Sequence, residues 1–434
     1  MDNFVQSNKR TKGQSFKKDI QYYKFCSYGF LKNLRFFDAF ILLFFLETGL
    51  TFLQIGTIYT IREISVNILE IPSGIIADSL GRRRTMIFSF ISYIISFLIF
   101  YFATKYFLFV IAILFYAFGD AFRTGTHKAM IFEYLKIKHW ENQKVYYYGH
   151  TRSASQIGSA VSALIAAAIV FYTGSYKVIF IYSVIPYCID LLLMISYPKE
   201  LDGELKEFKK ELIKKKFKKV LKTFISSIKD IQVLKITANL SVYSGFSKIS
   251  KDYIQSILQT FALSLPLLFA VSDKQQISIV VGISYFVIYF ITSIAARNSG
   301  NFSSFFKNLN KILNLSLILG FLMGGFCGFF YNRKLFAFSI IFFVIILIIE
   351  NIRKPIGVAY LSDKTDEDIL TTILSFESQI KTLTAAILAP VLGFFADKYG
   401  VGNSFIIVSA ILIIISPLYF LNFKEKNNFL SIKQ

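Results

Sequence analysis

Several ionisable side chains of this sequence stand inside long apolar stretches, where a charge without a partner is costly. The clearest group is Asp120, Arg123 and His127, followed directly by Lys128. Spacings of three and seven residues place the first three on one face of a helix. Such a face can pass protons between a carboxylate and an imidazole, or bind an anion through its cations. The alternative is structural, with Arg123 and Lys128 reaching the polar boundary and His127 bonded to a backbone carbonyl.

Acidic residues in earlier apolar stretches are further candidates. Glu63 follows Arg62 in the chain, and Asp38 has one basic neighbour on its own predicted helix, Arg35, one turn earlier. A carboxyl group placed like that of Asp38 can exchange a proton near neutral pH, which proton-coupled chemistry needs. The alternative is a permanent Arg35–Asp38 ion pair.

A second acid and base pair lies late in the chain. Glu377 and Lys381 are four residues apart with the acid first, the favourable order for a pair within one helix. This pair is either a salt bridge that a ligand or proton opens, or a permanent pair that neutralises both charges. Arg152 and Lys251 add two cations to the apolar region. Because acids and bases nearly balance, the sequence predicts a zwitterionic or anionic solute.

The elements that must position these residues are apolar helices. The chain has 434 residues, of which 54% are hydrophobic and 17% charged, against about 45–50% and about 25% in a soluble domain. This composition excludes disordered and collagen-like chains. With about 20 residues for one bilayer crossing, we predict an all-α membrane protein with twelve transmembrane helices. They are expected near residues 30–49, 51–77, 83–104, 106–135, 147–173, 175–197, 232–262, 275–297, 309–330, 335–361, 367–396 and 402–422.

The basic residues are distributed unevenly between the two sides of the predicted membrane. If both termini are cytoplasmic, the cytoplasmic segments hold 30 Lys and Arg and the outer turns hold 6. This imbalance sets the orientation in a plasma (inner) membrane by the positive-inside rule. It also accounts for most of the net charge of +21, so nucleic acid is not an expected partner. Membrane lipid is, because the basic segment 198–230 can lie on anionic lipid as an amphipathic helix.

Segment 198–230 also divides the chain into two halves of six helices. The predicted organisation is a cytoplasmic basic N-terminus (1–27), an N-terminal bundle (28–197), a basic linker (198–230), a C-terminal bundle (231–422) and a cytoplasmic tail (423–434). The halves look like pseudo-repeats, because a shift of 226 residues aligns several identical residues: Tyr134 with Tyr360, Leu135 with Leu361, Ala160 with Ala386, Ala163 with Ala389, Gly174 with Gly400 and Ser183 with Ser409.

Between predicted helices 2 and 3 stands a segment with glycine, acidic and basic residues at fixed spacing: Gly74, Asp78, Gly81, Arg82 and Arg83. Gly74 would let helix 2 approach a neighbour closely, and Asp78 can pair with Arg82 one turn on. The segment resembles the G-x-x-x-D-[RK]-x-G-[RK]-[RK] signature of the major facilitator superfamily, with Ser79 where a basic residue is usual. In that family the carboxylate also faces the N-terminus of helix 11, here near residues 366–370, and steadies the outward-facing state.

Segments 354–357, 372–375 and 389–400 resemble the drug-exporter-like branch of the same superfamily. The resemblance implies two six-helix halves that rock around a central site without a cofactor. It thus implies a proton-coupled secondary transporter that acts as a monomer on a small organic solute and favours export. Two alternatives stay open: uptake of a polar or anionic nutrient, and a non-transporting sensor or assembly module.

Enzyme motifs are absent from the sequence. It contains no G-x-x-x-x-G-K-[ST] loop for a nucleotide, no nucleophile elbow and no H-E-x-x-H pair. The three histidines and three cysteines have no metal-ligand spacing. We therefore expect neither an enzyme nor a metal site.

Overall fold

The computed structural model describes residues 18–203, 205, 211, 218, 231–266, 271–304, 309–362 and 367–421. Within these ranges the regular elements are helices joined by short turns. Most of the predicted linker and the whole predicted tail lie outside the described residues. We number the α-helices α1 Ile20–Leu31, α2 Ile41–Glu47, α3 Phe52–Leu80, α4 Arg82–Phe102, α5 Tyr106–Arg123, α6 Thr126–Ile137, α7 Lys144–Thr173, α8 Val178–Ile195, α9 Ile231–Ser264, α10 Asp273–Ser304, α11 Leu309–Asn332, α12 Phe336–Ser362, α13 Glu367–Tyr399 and α14 Val401–Ile415.

These helices make twelve crossings in two halves, α1 to α8 and α9 to α14. The first crossing is the broken pair α1 and α2, the fourth is the broken pair α5 and α6, and each other crossing is one helix. Among the described residues, nine stretches are long and apolar enough to span a membrane. The first crossing, α3 and α9 are not among them, and α3 and α9 carry charges at mid-length. The predicted fold class, a twelve-helix membrane protein in two pseudo-repeats, is confirmed.

The first crossing differs from the predicted helix at 30–49. It begins at Ile20, where the Asp19 carboxylate accepts a hydrogen bond from the backbone N–H of Tyr22 at 3.0 Å and caps the helix. Residues 20–27 therefore belong to the first helix and not to a polar N-terminal segment. The α-helix then ends at Leu31 and resumes at Ile41.

The fourth crossing is also interrupted, where one helix was predicted over 106–135. α5 ends at Arg123 and α6 begins at Thr126. Gly125 between them has φ +81°, a left-handed conformation that glycine adopts without strain. The backbone therefore changes direction at this point, and residues on its two sides do not share one helix face.

The 226-residue shift is visible in the helix bounds. Shifted by that amount, α7 covers residues 370–399, close to α13, and α4 covers residues 308–328, close to α11. Gly174 and Gly400, which the shift superposes, both have positive φ and both follow one of these helices, α7 and α13. The two halves thus repeat the same helix order, with the turns in equivalent places.

The halves touch through two glycine contacts that the same shift relates. A Cβ on Gly56 of α3 would lie 2.4 Å from the carbonyl oxygen of Ala389 of α13. A Cβ on Gly282 of α10 would lie 2.3 Å from the Cβ of Ala167 and 3.3 Å from the carbonyl oxygen of Ala163, both on α7. Small residues allow such close approach between membrane helices. The two contacts, α3 with α13 and α10 with α7, hold the halves against each other.

The two ends of the bundle differ in how the halves meet. We call the end that carries Gly81 the signature end and the other the opposite end. At the opposite end the Asp397 carboxylate accepts hydrogen bonds from the N–H groups of Phe52 and Leu53, both at 2.8 Å. Lys274 forms an ion pair with Glu47 close by. Hydrogen bonds and ion pairs between the halves, among the described residues, concentrate at the opposite end and at mid-depth, so the opposite end is closed.

Candidate functional site

A cavity of about 250 Å³ lies between the two halves at mid-depth, lined by the α1–α2 break, α3, α5, α9 and α10. We call it the charged cavity. Its lining has as many cations as carboxylates: Arg35, Arg62, Lys248 and Lys251 with Asp38, Glu63, Asp120 and Asp252. Each half contributes charges of both signs to the lining, and each half also contributes aromatic rings. A polar solute that bridges the halves would meet this lining.

An ion-pair network joins α3 of one half to α9 of the other. The guanidinium of Arg62 lies 3.1 Å from Glu63 and 3.2 Å from Asp252. The Lys248 ammonium is 2.5 Å from the second oxygen of Glu63, whose side chain is only 6% exposed. Because low-dielectric surroundings strengthen such pairs and penalise a lone charge, separating the halves here requires new partners for these groups.

Asp38 and Lys251 present the more open charges of the cavity. The Asp38 carboxylate pairs with Arg35 at 2.9 Å and keeps a third of its side-chain surface exposed. The structure thus contains the Arg35–Asp38 pair that was the structural alternative for this residue. The Lys251 ammonium contacts Tyr289, 3.4 Å from its hydroxyl and 4.8 Å from its ring centre. Among the described residues it has no carboxylate partner, which leaves a cation available to a ligand.

Tyr93, Asp120 and Arg123 form a hydrogen-bonded cluster that bounds the charged cavity in the N-terminal half. Arg123 pairs with Asp120 at 2.9 Å, and the Tyr93 hydroxyl donates to the same Asp120 oxygen at 2.5 Å. Arg123 also donates to the Tyr93 hydroxyl at 3.0 Å. Asp120 lines the charged cavity, whereas Arg123 lines a second cavity behind it. The continuous face predicted for 120–127 is wrong, because the helix is interrupted before Thr126.

The second cavity measures about 430 Å³ and lies within the N-terminal half, toward the signature end. We call it the basic cavity. Among the described residues, no Asp or Glu lines it, whereas four cations do: Lys32, Arg123, Lys128 and Arg152. His127 also lines it, with its ring stacked on Tyr28 at 3.5 Å and its Nε2 atom 3.2 Å from the Tyr197 hydroxyl. The alternative prediction, that His127 bonds to a backbone carbonyl, is therefore wrong.

Glu377 and Lys381 lie outside both cavities. Glu377 lines a small cavity of about 40 Å³ in the C-terminal half together with Glu350 and Lys354. Lys381 interacts electrostatically with Glu70 of α3 in the other half. Within the described residues the two make no ion-pair contact, but Lys381 acts on Glu377 electrostatically, more strongly than Lys354 does, so the Glu377–Lys381 pair stays a prediction.

Three buried charges escaped the sequence reasoning. Lys32 lines the basic cavity, and its position beside the polar N-terminal region concealed it. Asp190 of α8 is fully buried, and neither carboxylate oxygen has a hydrogen-bond partner within the described chain. It stands in an apolar stretch, the same signal that identified Asp38. Arg353, 2% exposed, donates to Asn239 and to the backbone oxygen of Leu313 and serves as a structural anchor.

The signature segment makes its described contacts within the N-terminal half. Arg82 pairs with Glu133 at 3.2 Å, and not with Asp78 as predicted, because α4 begins at Arg82 after the turn at Gly81, whose φ is +96°. The N–H of Arg83 donates to Asp202 at 2.7 Å. Among the side chains that are described, Asp78 forms no ion pair. Gly74 lies on α3, four residues before Asp78.

The described residues contain no group of three His, Cys, Asp or Glu that could hold a metal ion. Cys26, Cys188 and Cys327 are free thiols. Charged side chains and hydroxyls line both cavities, and the basic cavity adds amides and the His127 imidazole.

Comparisons with known proteins agree with this architecture. No curated protein matches the chain in sequence. Among solved structures, the chain is similar to a variant of the nucleoside transporter NupG, with a TM-score of 0.75, 13% identity, and coverage of 92% of this chain and 98% of that one. It is also similar to a POT family transporter in complex with 5-aminolevulinic acid, with a TM-score of 0.67, 13% identity, and coverage of 92% and 95%. Peptide transporter POT in complex with sulfate has a TM-score of 0.66, 11% identity, and coverage of 92% and 94%.

At these identities the likeness to solved structures shows the fold. The family model of the Major Facilitator Superfamily matches residues 29–378, most of the chain. The match extends across both halves and includes the signature segment; it does not show the drug-exporter-like branch. Twelve helices in two pseudo-repeats around a charged cavity are the architecture of that superfamily, and this chain belongs to it.

Proposed function

We propose that this chain is a proton-coupled secondary transporter, which moves a small polar organic solute across the plasma membrane by alternating access. The observation that carries the proposal is the charged cavity, which both halves line and which contains eight ionisable side chains. A charge at bilayer depth costs about 2.5–3.5 kcal/mol on insertion scales. A membrane scaffold or sensor without a solute would not need this set of charges.

Two acidic residues at opposite ends of the bundle support alternation between two closed ends. The C-terminus of α3 carries Gly74, Asp78 and Gly81, and the C-terminus of α13 carries glycine and aspartate at the same spacing: Gly393, Asp397 and Gly400. α3 and α13 pack antiparallel, so the acidic end of each lies beside the N-terminus of the other. Asp397 accepts both hydrogen bonds at the N-terminus of α3, whose partial positive charge favours an anion. We assign Asp78 the equivalent contact with α13 when the signature end closes.

The orientation follows from the basic residues near the signature end. By the positive-inside rule this end and both termini are cytoplasmic, so the closed opposite end corresponds to an inward-facing state. For proton coupling the candidate is Asp38, whose ion pair with Arg35 is partly exposed to the cavity. A proton on Asp38 would remove the carboxylate charge and release Arg35 to an anionic group of the solute.

The nature of the cavity favours a polar solute with at least one anionic group. Lys251 is available without breaking an ion pair, and Asp38 is the exposed carboxylate. Several proteins of similar fold are nucleoside or peptide transporters, whose cargoes are polar. The drug-exporter-like segments favour export. A polar, charged site favours the second candidate, uptake of a nutrient. One chain supplies the whole lining, so a monomer suffices, with membrane lipid as its surroundings.

Purified protein in liposomes tests the proposal. Compounds that raise the thermal unfolding temperature bind the folded state; each of these is then assayed for counterflow, with a pH-sensitive dye inside the vesicles. We expect at least one such compound to exchange and to move protons with it. Arg62→Gln should abolish exchange because it breaks the network between halves, whereas the exposed Lys105→Gln is the matched control. If compounds bind but none of them exchanges, the sensor or assembly alternative is supported instead.

A further inference from the structure

The basic cavity has a lining that suits one class of ligand. It lies between α1, the α5–α6 break and α7, and it combines four cations with neutral donors such as Asn33, Thr151 and Ser155. No carboxylate of the described residues belongs to its lining, in contrast to the charged cavity, where acids and bases are equal in number. A neutral or cationic ligand would gain little here.

Two of the four cations, Lys128 and Arg152, lack a carboxylate counter-charge within the described chain. Lys128 rests against the rings of Phe132 and Tyr148, at 5.4 and 5.5 Å from their centres. The side chains of Lys32 and Arg152 form neither an ion pair nor a hydrogen bond there. Asp190 acts on Lys32 electrostatically but does not bond to it. Only Arg123 is paired, through Asp120. Lys128 and Arg152 are exposed, so solvent screens their mutual repulsion, and their charges are accessible to a ligand with negative charge.

The break in the fourth crossing adds a helix end to the same cavity. α6 has twelve residues, its N-cap is Gly125, and no side chain caps its first N–H groups. Gly125, His127 and Lys128 at this end line the cavity. An uncapped helix N-terminus carries partial positive charge and free N–H donors, the arrangement that binds phosphate and similar anions.

A buried hydroxyl in the lining independently indicates a ligand. Tyr28 is 4% exposed, and its hydroxyl lies beside the Arg123 guanidinium but makes no hydrogen bond of normal geometry among the described residues. Its ring is held in place by the stack on His127. A buried hydroxyl without a partner costs about 1–3 kcal/mol. An oxyanion in the cavity would give this hydroxyl an acceptor.

From these observations we propose that the basic cavity binds the dianionic phosphate group of a phosphomonoester solute. Two cations without a carboxylate partner, the Lys32 ammonium and a helix end supply positive charge and donors, and a phosphate offers several acceptor oxygens to donors that converge on it. A volume of about 430 Å³ is in the range of small-molecule sites and leaves room for an organic body. The inference rests on the proposed transport function and names its solute class. The Asp120–Arg123 pair then links the bound group to the charged cavity.

Isothermal calorimetry on the full-length protein in neutral detergent tests the site. The probes are inorganic phosphate and glycerol 3-phosphate, with glycerol and an equal ionic strength of chloride as controls. We expect both phosphates to bind and glycerol not to bind. Lys32→Gln and Arg152→Gln should each weaken binding about tenfold, since each removes a charged hydrogen-bond donor. Tyr28→Phe should weaken it a few-fold without changing the stacked ring. The exposed Lys105→Gln should have no effect.

The same affinity in all variants, or no heat with either phosphate, would overturn the inference. Because the side chains of Lys32 and Arg152 make no ion-pair contact or hydrogen bond within the described residues, these substitutions should not unfold the protein, and its melting temperature checks this. Nanodiscs with and without phosphatidic acid separate the two sources of phosphate, a lipid headgroup and a soluble solute. If phosphatidic acid binds and the soluble probes do not, the cavity is assigned to a lipid headgroup and a solute site is refuted. Phosphate binding without counterflow would refute the transport proposal alone, whereas counterflow without phosphate binding would refute this inference alone.

Discussion

Replacing Asp397 by Asn should loosen the closed opposite end of the bundle. The two oxygens of Asp397 each accept a hydrogen bond at 2.8 Å, from the N–H groups of Phe52 and Leu53 at the N-terminus of α3. Asparagine keeps one acceptor oxygen and loses the negative charge. One hydrogen bond and the attraction to the helix end are therefore lost, whereas the helices themselves keep their packing.

The size of the effect follows from these contacts. A hydrogen bond to a charged group contributes about 1.5–3 kcal/mol, and an exposed charge at a helix end about 0.3–1 kcal/mol. Asp397 is exposed, and solvent weakens both terms, so we expect a loss of about 1–2 kcal/mol. Because about 1.4 kcal/mol corresponds to a tenfold change, the population open at the opposite end should rise about five- to thirtyfold.

A cysteine at Ile41 can report this opening. Ile41 lines the charged cavity and is 6% exposed, so a reagent from outside the cell reaches it only when the opposite end opens. In a background without the three native cysteines, an impermeant maleimide should label the Asp397→Asn protein about five to thirty times faster than the parent. Lys398→Gln changes the charge by one unit beside the contact of Asp397 with α3 and should leave the labelling rate unchanged. Equal rates for Asp397→Asn and its parent would refute the role of Asp397.

Three further substitutions test other parts of the account. Gly56→Ala forces a Cβ to 2.4 Å from the carbonyl oxygen of Ala389, and this overpacking should cost about 1–3 kcal/mol and lower the melting temperature. The control Gly149→Ala, whose Cβ meets nothing within 4 Å, should not lower it. Equal melting temperatures for the two variants would show that the close contact does not matter. Asp38→Asn should remove the pH dependence of transport in liposomes, so a retained pH response would exclude Asp38 as the coupling group. Asp78→Asn should slow turnover and leave solute affinity intact by calorimetry, and unchanged turnover would contradict its role at the signature end.

Much of the fold follows from sequence because the membrane imposes a simple rule. Each crossing needs about 20 apolar residues, and this rule locates the helices even where charges interrupt them. The break at Gly125 has a local signal, a glycine within the predicted fourth helix. The break between Leu31 and Ile41 has no proline or glycine to announce it, so a continuous helix was the natural prediction there.

The candidate site was predictable to the extent that its contacts are local. The pairs Arg35–Asp38 and Asp120–Arg123 are three residues apart, and helical spacing is enough to suggest them. The pair of Glu63 with Lys248 joins residues 185 apart, and nothing in either segment identifies the partner. The ion pair expected from spacing alone between Asp78 and Arg82 was wrong for the same reason: Arg82 pairs with Glu133, because long side chains choose among neighbours on several helices, and tertiary packing decides which one.

Distances between spin labels at both ends of the bundle test the central claim, that the halves alternate around the cavities. One pair of labels at Lys105 and Arg333 spans the halves at the opposite end, and another at Lys136 and Lys311 spans them at the signature end; all four positions are exposed. Asp397→Asn should shift population so that the first distance lengthens while the second shortens. Distances that stay fixed at both ends, or that lengthen together, would contradict alternating access in this protein.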